Sequence, residues 1–312
     1  MHAVLNIVLP VFGIILAGYL SRRTGLLAVA STEALNRFVY FIALPPLLFL
    51  STAQTKFDAI INGPFIVAYI LTLIITLIIT LIGAWCLFGH RTLAMLTAHS
   101  FAAIFANTVY MGFPLFLAAF GREGMAPVVV GSLISNILII APVIVFMELS
   151  RTTIRGAGQI GRDVVLALVR SPILVPLLIG LAVSYFELTL PVALASFLNM
   201  LSNAAGPSAL VALGMSLFGL SFNAEIREVS WLVVIKLLIH PLIAYWLAFH
   251  VFDLPLFWAQ ASVLVAAIPT GSLVFVISQK YGVYIQRSAA AIVGTTLLSV
   301  LTLAGLIAWI VP

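Results

Sequence analysis

Charged residues are scarce in this sequence. Asp, Glu, Lys and Arg make up 7% of the 312 residues, whereas hydrophobic residues make up 63%. A soluble domain carries about 25% charged residues, so a soluble globular fold is excluded. With a mean hydropathy of +1.26, the chain is predicted to be an all-α polytopic membrane protein. Its length suits about ten spans of ~20 residues with short loops.

Cysteine is nearly absent, and the single Cys86 lies in an apolar run. One thiol forms neither a disulfide framework nor a thiolate metal site. Its neighbours predict a small, buried and inert side chain. The sequence also lacks a His-Glu-x-x-His run, a Gly-x-Ser-x-Gly elbow and paired acids within spans. We therefore predict no metal, no cofactor and no enzyme active site.

Acidic residues are missing from the interior of the predicted spans. Glu148, Glu187 and Asp253 fall at span ends. Cation exchangers use buried carboxylates to bind and release their ions. This pattern argues against sodium/proton antiport and suits a site for an anion. A sodium site built from backbone carbonyls and hydroxyls stays open.

Basic residues are distributed asymmetrically between alternate loops. The net charge of +5 is interpreted as a topology signal beside membrane helices, with no nucleic-acid partner. With the N-terminus outside, the outer loops carry only Lys56 and Arg122. The inner loops carry Arg22, Arg23, Arg37, Arg91, Arg151, Arg155, Arg162, Arg170, Arg227, Lys280 and Arg287. This bias predicts an integral membrane protein with both termini outside, which is the periplasm if the membrane is a bacterial inner membrane. The first apolar run, from Val4 to Leu20, is interpreted as a retained span.

Two hydrophobic runs, about 93–120 and 256–279, contain polar residues and helix breakers at their centres. Proline lacks a backbone N–H and clashes with the carbonyl four residues earlier. At membrane depth such breaks are tolerated only where protein or a polar cavity surrounds them. Interrupted helices in corresponding positions of two halves indicate a transporter binding site. The predicted helix-breaking crossover residues are Gly112, Pro114, Pro269 and Gly271.

The two halves of the chain align at a constant offset of 162 residues. Five spans per half would enter the membrane from opposite sides, which is an inverted-topology repeat. We therefore predict a first repeat over residues 1–147, a cytoplasmic loop over 148–170 and a second repeat over 171–312. The matching pairs are Pro10 and Pro172, Gly18 and Gly180, Pro45 and Pro207, Asn107 and Pro269, Thr108 and Thr270, and Phe113 and Phe275.

Four stretches together resemble the auxin efflux carrier family, in particular its bacterial members labelled malonate or malate permeases. They cover nearly the whole chain: Leu35 to Tyr40 with Leu44-Pro45 and Phe49, Asn107-Thr108 through Pro114, Pro207 to Leu217, and Pro269-Thr270-Gly271 through Gly282. Tyr110 departs from the pattern, because many members have a second amide there.

The resemblance implies ten transmembrane helices in two inverted five-helix repeats, a fold of the bile-acid symporter and NhaA type. It implies a scaffold of helices 1, 2, 6 and 7, and a transport domain of helices 3–5 and 8–10. Broken helices 4 and 9 would cross within the transport domain. The family carries organic anions, and its plant members move auxin by an elevator-like mechanism.

The candidate substrate-binding residues are Asn107, Thr108, Tyr110, Asn136, Pro269, Thr270 and Ser272. The Asn107 amide could bind a carboxylate, satisfy backbone carbonyls freed by the break, or do both. Hydroxyls in helices can instead bond back to their own helix. Tyr110 could contact a ligand or pack, and Asn136 could join helices or contact substrate.

Three ionisable residues fall within predicted spans. His99, Lys236 and His240 are candidates for ion coupling or anion attraction, because intramembrane ionisable residues are functional hypotheses by default. Lys236 could instead extend its ammonium to the inner surface. A proton relay through His99 or His240 is a second alternative, since histidine titrates near neutrality.

The function expected from these features is secondary transport of small organic anions, such as mono- or dicarboxylates, by elevator-type alternating access. The alternatives are a sodium-coupled symporter of the bile-acid type and an anion channel. The expected partners are a small organic anion and the lipid bilayer. Proton or sodium coupling and a homodimer stay open.

Overall fold

The computed structural model describes residues 4–151, 157–220 and 225–310. These ranges are helical and contain no β-strand. Six helices are long and apolar enough to cross a membrane, and four shorter apolar helices accompany them. In chain order we label α1 (Leu9–Arg23), α2 (Val29–Ala53), α3 (Gly63–Cys86), α4 (Leu93–Ile104), α5 (Thr108–Phe120), α6 (Ala126–Leu149), α7 (Ala157–Val169), α8 (Leu174–Tyr185), α9 (Val192–Leu217), α10 (Ile226–Val251), α11 (Leu256–Ala267), α12 (Leu273–Tyr281) and α13 (Ile285–Ile310).

Helix α3 shows how the chain distributes polarity. Its inward face carries Thr72, Thr76 and Thr80, each fully buried and each donating a hydrogen bond to the carbonyl four residues earlier. Its outward face carries Ile74, Ile78 and Ile82, which are 44%, 51% and 58% exposed. Polar groups inside and large aliphatic groups outside are the arrangement of a helix whose surroundings are lipid. The predicted class of polytopic membrane protein is confirmed.

The prediction of a buried Cys86 is wrong. We expected a buried side chain, but Cys86 is exposed at the end of α3. Trp85 and Leu87 beside it are also exposed. In a membrane protein, apolar neighbours do not indicate burial, because lipid-facing surface is equally apolar.

Two elements differ from the predicted spans. Helix α2 begins at Val29, about two turns earlier than expected. The segment expected to be a loop, residues 148–170, contains α7, with Val and Leu at helical spacing among its polar residues.

Wide π-helical turns precede several prolines. Segments Val39–Ala43, Thr108–Gly112 and Ile235–Ile239 lie just before Pro45, Pro114 and Pro241. Because proline offers no N–H and crowds the preceding turn, the backbone widens there instead of keeping regular α geometry. These helices continue past their prolines with a local change in winding.

Glycines allow two pairs of helices to approach at backbone distance. A Cβ on Gly18 of α1 would lie 2.3 Å from the carbonyl oxygen of Val211 on α9. A Cβ on Gly180 of α8 would lie 2.4 Å from the carbonyl oxygen of Phe49 on α2. Small residues are the means by which membrane helices pack closely. The two glycines, 18 and 180, are separated by 162 residues. The two residues that they approach, 49 and 211, are separated by the same number.

We expect Gly18→Ala to lower the melting temperature of the purified protein in detergent, because its methyl group would overlap the α9 backbone. Overpacking of this kind costs about 1–3 kcal/mol. Gly13→Ala on the same helix is the matched control, since nothing lies within 4 Å of a Cβ at Gly13. Equal melting temperatures for the two variants would contradict the close approach of α1 and α9.

Candidate functional site

The chain breaks between α4 and α5 and between α11 and α12 lie against each other. The Asn107 N–H donates to the Pro269 carbonyl at 2.8 Å, and the Gly271 N–H donates to the Phe105 carbonyl at 3.0 Å. These bonds form an isolated antiparallel bridge between Ala106 and Thr270. Each unwound segment therefore satisfies backbone groups of the other, as buried peptide groups require.

Thr270 is held within the crossover. Its hydroxyl donates to the Ala102 carbonyl at 2.8 Å, and its N–H donates to the Thr295 hydroxyl at 3.2 Å. The side chain is fully buried. Gly271 and Gly112 serve close approach, because added Cβ atoms would lie 2.6 Å from the Phe105 ring and 2.8 Å from Ile268. These residues hold the geometry of the break.

A cavity of about 870 Å³ lies beside the crossover. It is bounded by parts of α2, α5, α6, α9 and α12. Five predicted site residues line it: Asn107, Thr108, Tyr110, Asn136 and Ser272. Pro269 and Thr270 are not among its lining residues. The cavity is large enough for a small organic molecule.

Asn107 offers an unused donor at this cavity. Its side chain is 4% exposed, and within the described ranges its amide nitrogen Nδ2 has no hydrogen-bond partner. Asn136 differs, because its amide donates to the Ser132 carbonyl of its own helix at 2.8 Å. A buried donor left unpaired costs about 1–3 kcal/mol, so a ligand acceptor at the Asn107 amide would be favourable.

Basic side chains form part of the cavity lining. Arg22, Arg37 and Lys280 line it, with one acid, Glu33, which pairs with Arg37 at 2.7 Å. An adjoining cavity of about 530 Å³ adds Arg151, Arg170 and the acid Glu148. Cations outnumber acids among the charged residues that line the two cavities, so their field attracts anions.

At the opposite end of the protein, Arg122 joins α5 to α2 and α9. Its guanidinium donates to the Asn199 side-chain oxygen at 2.7 Å and to that of Gln54 at 3.2 Å. These bonds link the segment after the first broken helix to the helices on the other side of the cavity.

The predicted coupling residues lie away from the cavity, since His99, Lys236 and His240 are not among its lining residues. Lys236 is fully buried and donates to the Ala266 carbonyl at 3.2 Å, so it does not extend to the inner surface. Its ammonium lies at the carboxyl end of α11, where the helix dipole favours a cation. His240 Nδ1 lies 2.9 Å from the Thr76 hydroxyl oxygen.

A buried acid was missed by the sequence analysis. Glu228 lies in the first turn of α10, at a span end, and is fully buried. His90, His99, Tyr284 and Arg287 surround its carboxylate. Burial, together with the Glu228 charge, raises the pKa of the Tyr284 phenol well above its usual value, so its hydroxyl donates. No local motif indicated this cluster, because Glu228 is 129 residues from His99.

The helices and the cavity define an integral membrane protein built around a pair of broken helices. A family model described as membrane transport protein matches residues 3–307. The chain belongs to this family, and its resemblance to auxin efflux carriers is confirmed.

Curated relatives extend over the whole chain. A Rhizobium meliloti (strain 1021) protein, provisionally named a malonate transporter, is 31% identical, and the alignment covers 98% of this chain and 96% of the relative. An uncharacterized transporter of Methanothermobacter thermautotrophicus is 24% identical over 95% of each chain. Another from Methanocaldococcus jannaschii is 23% identical over 96% of each chain.

The cavity boundary can be tested by thiol labelling in a Cys86→Ser background. We expect Ser272→Cys to react readily with a water-soluble maleimide, because Ser272 lines the cavity. Thr270→Cys, two residues away, is the matched control and should stay unlabelled because that position is fully buried. Equal labelling of both positions would contradict the described boundary.

Proposed function

We propose that this protein is a secondary transporter of small organic anions, with mono- and dicarboxylates as the substrate class. The observation that carries the proposal is the unpartnered Asn107 amide at a cavity whose charged lining residues are mainly cations. The amide N–H groups would donate to a carboxylate oxygen. Thr108, Tyr110 and Ser272 would supply further hydroxyl contacts, and Asn136 would lie at the edge of the site.

Helix ends strengthen the case for an anion. Helices α5 and α12 both begin at the crossover, at Thr108 and Leu273. The first N–H groups of a helix have no intrahelical partner, and the dipole there favours negative charge. Pro269 and Gly271 lie in the unwound segment before α12, whereas Gly112 and Pro114 lie within α5 and do not mark its start.

The proposed architecture is ten spans in two inverted repeats, residues 1–147 and 171–312. The two glycine contacts support it, since both residues of each contact have equivalents at the offset of 162. Asn107 and Pro269, which share that offset, are also directly bonded. The scaffold would comprise α1, α2, α8 and α9, and the transport domain would comprise α3 to α6 and α10 to α13.

The proposed mechanism is elevator-type alternating access. The cavity lining carries basic residues assigned to inner loops, so we place the cavity on the cytoplasmic side, with both termini periplasmic. Arg122 would then hold the outer side closed through Asn199 and Gln54. Movement of the transport domain against the scaffold would break these bonds and open the cavity outward.

Removal of the Asn107 amide should weaken anion binding while the protein stays folded. Asn107→Ala loses hydrogen bonds to a charged group, for which about 10- to 100-fold weaker binding is expected. Asn107→Asp keeps the shape but repels a carboxylate and should bind no better. Gln260→Ala, an amide change outside the cavity lining, is the control. The measurement is ligand-dependent thermal stabilisation, and unchanged stabilisation of Asn107→Ala would refute this site.

Uptake into proteoliposomes separates the proposed function from its alternatives. Labelled malonate, malate and indole-3-acetate are offered with and without imposed proton or sodium gradients. Saturable uptake of a carboxylate is expected. Dependence on sodium would favour the bile-acid type of symporter, and flux far above transporter turnover would favour a channel. No uptake of any of the three would contradict the proposed substrate class.

Loss of Arg122 should shift the protein toward its outward-open state. Two exposed hydrogen bonds, each worth about 0.5–1.5 kcal/mol net, would change the population ratio several-fold. In intact cells, Arg122→Ala should raise labelling of Ser272→Cys by an impermeant maleimide. Lys56→Ala changes the other outer basic residue and serves as the charge control. Labelling unaffected by Arg122→Ala would argue against an outer closure at this point.

A further inference from the structure

We propose that His90, His99 and Glu228 form a binding site for a divalent transition-metal ion of the zinc class. One donor atom from each of these buried residues lies within 4.8 Å of the other two. The site is separate from the anion cavity, because none of the three lines it. The proposal does not rest on the proposed transport function.

The three donor atoms converge on one small region. His90 Nε2 lies 2.6 Å from Glu228 Oε1, and His99 Nδ1 lies 2.7 Å from the same oxygen. The opposite nitrogen of His99 is buried and contacts no polar partner in the part of the chain that the structure describes. The polar contacts of this buried ring are therefore directed at the cluster.

The donor set matches a transition metal. Imidazole nitrogens suit zinc, copper, iron and nickel, whereas magnesium and calcium prefer oxygen ligands. Tetrahedral zinc with bonds of about 2.0–2.1 Å places its ligand atoms about 3.3 Å apart. The imidazole nitrogens would need to move back from Glu228 by less than about 1 Å. Three protein ligands leave a fourth position open for water.

The surroundings provide the supporting contacts of a ligating carboxylate. Arg287 Nε forms an ion pair with Glu228 Oε2 at 2.8 Å without hydrogen-bond geometry, while both histidine nitrogens approach Oε1. A second partner of this kind orients a metal-bound carboxylate and tunes its affinity. His90 is 7% exposed and Arg287 has a 29% exposed side chain, so an ion could reach the cluster from the surface at this end.

The site would join elements distant in sequence. His99 lies on α4, the half-helix that leads into the crossover, and Glu228 lies in the first turn of α10. His90 lies in the connection from α3 to α4. A bound ion would fix these elements to one another and thereby stabilise the half of the molecule that contains both broken helices.

The test measures metal binding by protein purified through a histidine-free affinity tag and stripped with a chelator. We expect about one Zn²⁺ per chain by elemental analysis after reloading, and a Co²⁺ form with visible d–d absorption typical of a tetrahedral nitrogen and oxygen site. His99→Ala and Glu228→Gln should bind at least about ten-fold more weakly. His250→Ala, which removes an exposed histidine outside the cluster, should bind like the unmodified protein.

Thermal stability supplies a second readout that does not depend on transport. Zn²⁺ should raise the melting temperature of the unmodified protein and of His250→Ala, but not of the cluster variants. Where His99→Ala fails to fold, His90→Gln at the edge of the cluster takes its place. Absence of stoichiometric Zn²⁺ and Co²⁺ in the unmodified protein, or equal binding by the His99 or His90 variant, would overturn the proposal and leave a hydrogen-bonded structural cluster.

Discussion

Backbone groups freed inside a membrane must find partners, and in this protein two helix breaks supply them to each other. The bonds from Asn107 to Pro269 and from Gly271 to Phe105 cross between the breaks. Unsatisfied peptide groups in hydrocarbon would cost several kcal/mol each. Four half-helices are thereby fixed at one point, and the Asn107 side chain remains available to the cavity because only its backbone takes part in the bridge.

This constraint determines where polarity can be placed. The threonine row of α3, the ammonium of Lys236 and the ring of His240 all lie inside, bonded to carbonyls or hydroxyls. Lys236 bonds to Ala266 at the end of α11, immediately before the second break. Lys236 thus satisfies a carbonyl at the helix end that leads into the crossover, and it does not line the cavity.

The sequence predicted the parts of this structure that depend on local chemistry. Helix breakers within apolar runs predicted an interruption in each run, and Pro269 and Gly271 lie in the second break. The first break lies before Thr108, upstream of the predicted breakers Gly112 and Pro114, which are inside α5. Asn107, Thr108, Tyr110 and Ser272 all line the cavity. The sequence could not show that Ser272 lines the cavity while Thr270 is buried away from it. The orientation of residues in a short unwound segment depends on how the other break packs against it. Glu228 was missed for a related reason. Its histidine partners are 129 and 138 residues away in the sequence, and its burial depends on the tertiary packing that brings them together.

The exposure of Cys86 could not be predicted from sequence, since lipid-facing and core residues of a membrane protein have the same apolar composition.

The glycine contacts of α1 with α9 and of α8 with α2 have a consequence for mutational tolerance. Lipid-facing aliphatic residues such as Ile78 and Ile82 can exchange with other large apolar residues at little cost, since any of them suits hydrocarbon. Gly18 and Gly180 contact main-chain atoms, which no change in a neighbouring side chain can move aside. Random mutagenesis should therefore yield a map in which two of the smallest residues of the chain tolerate fewer substitutions than much of its large hydrophobic surface.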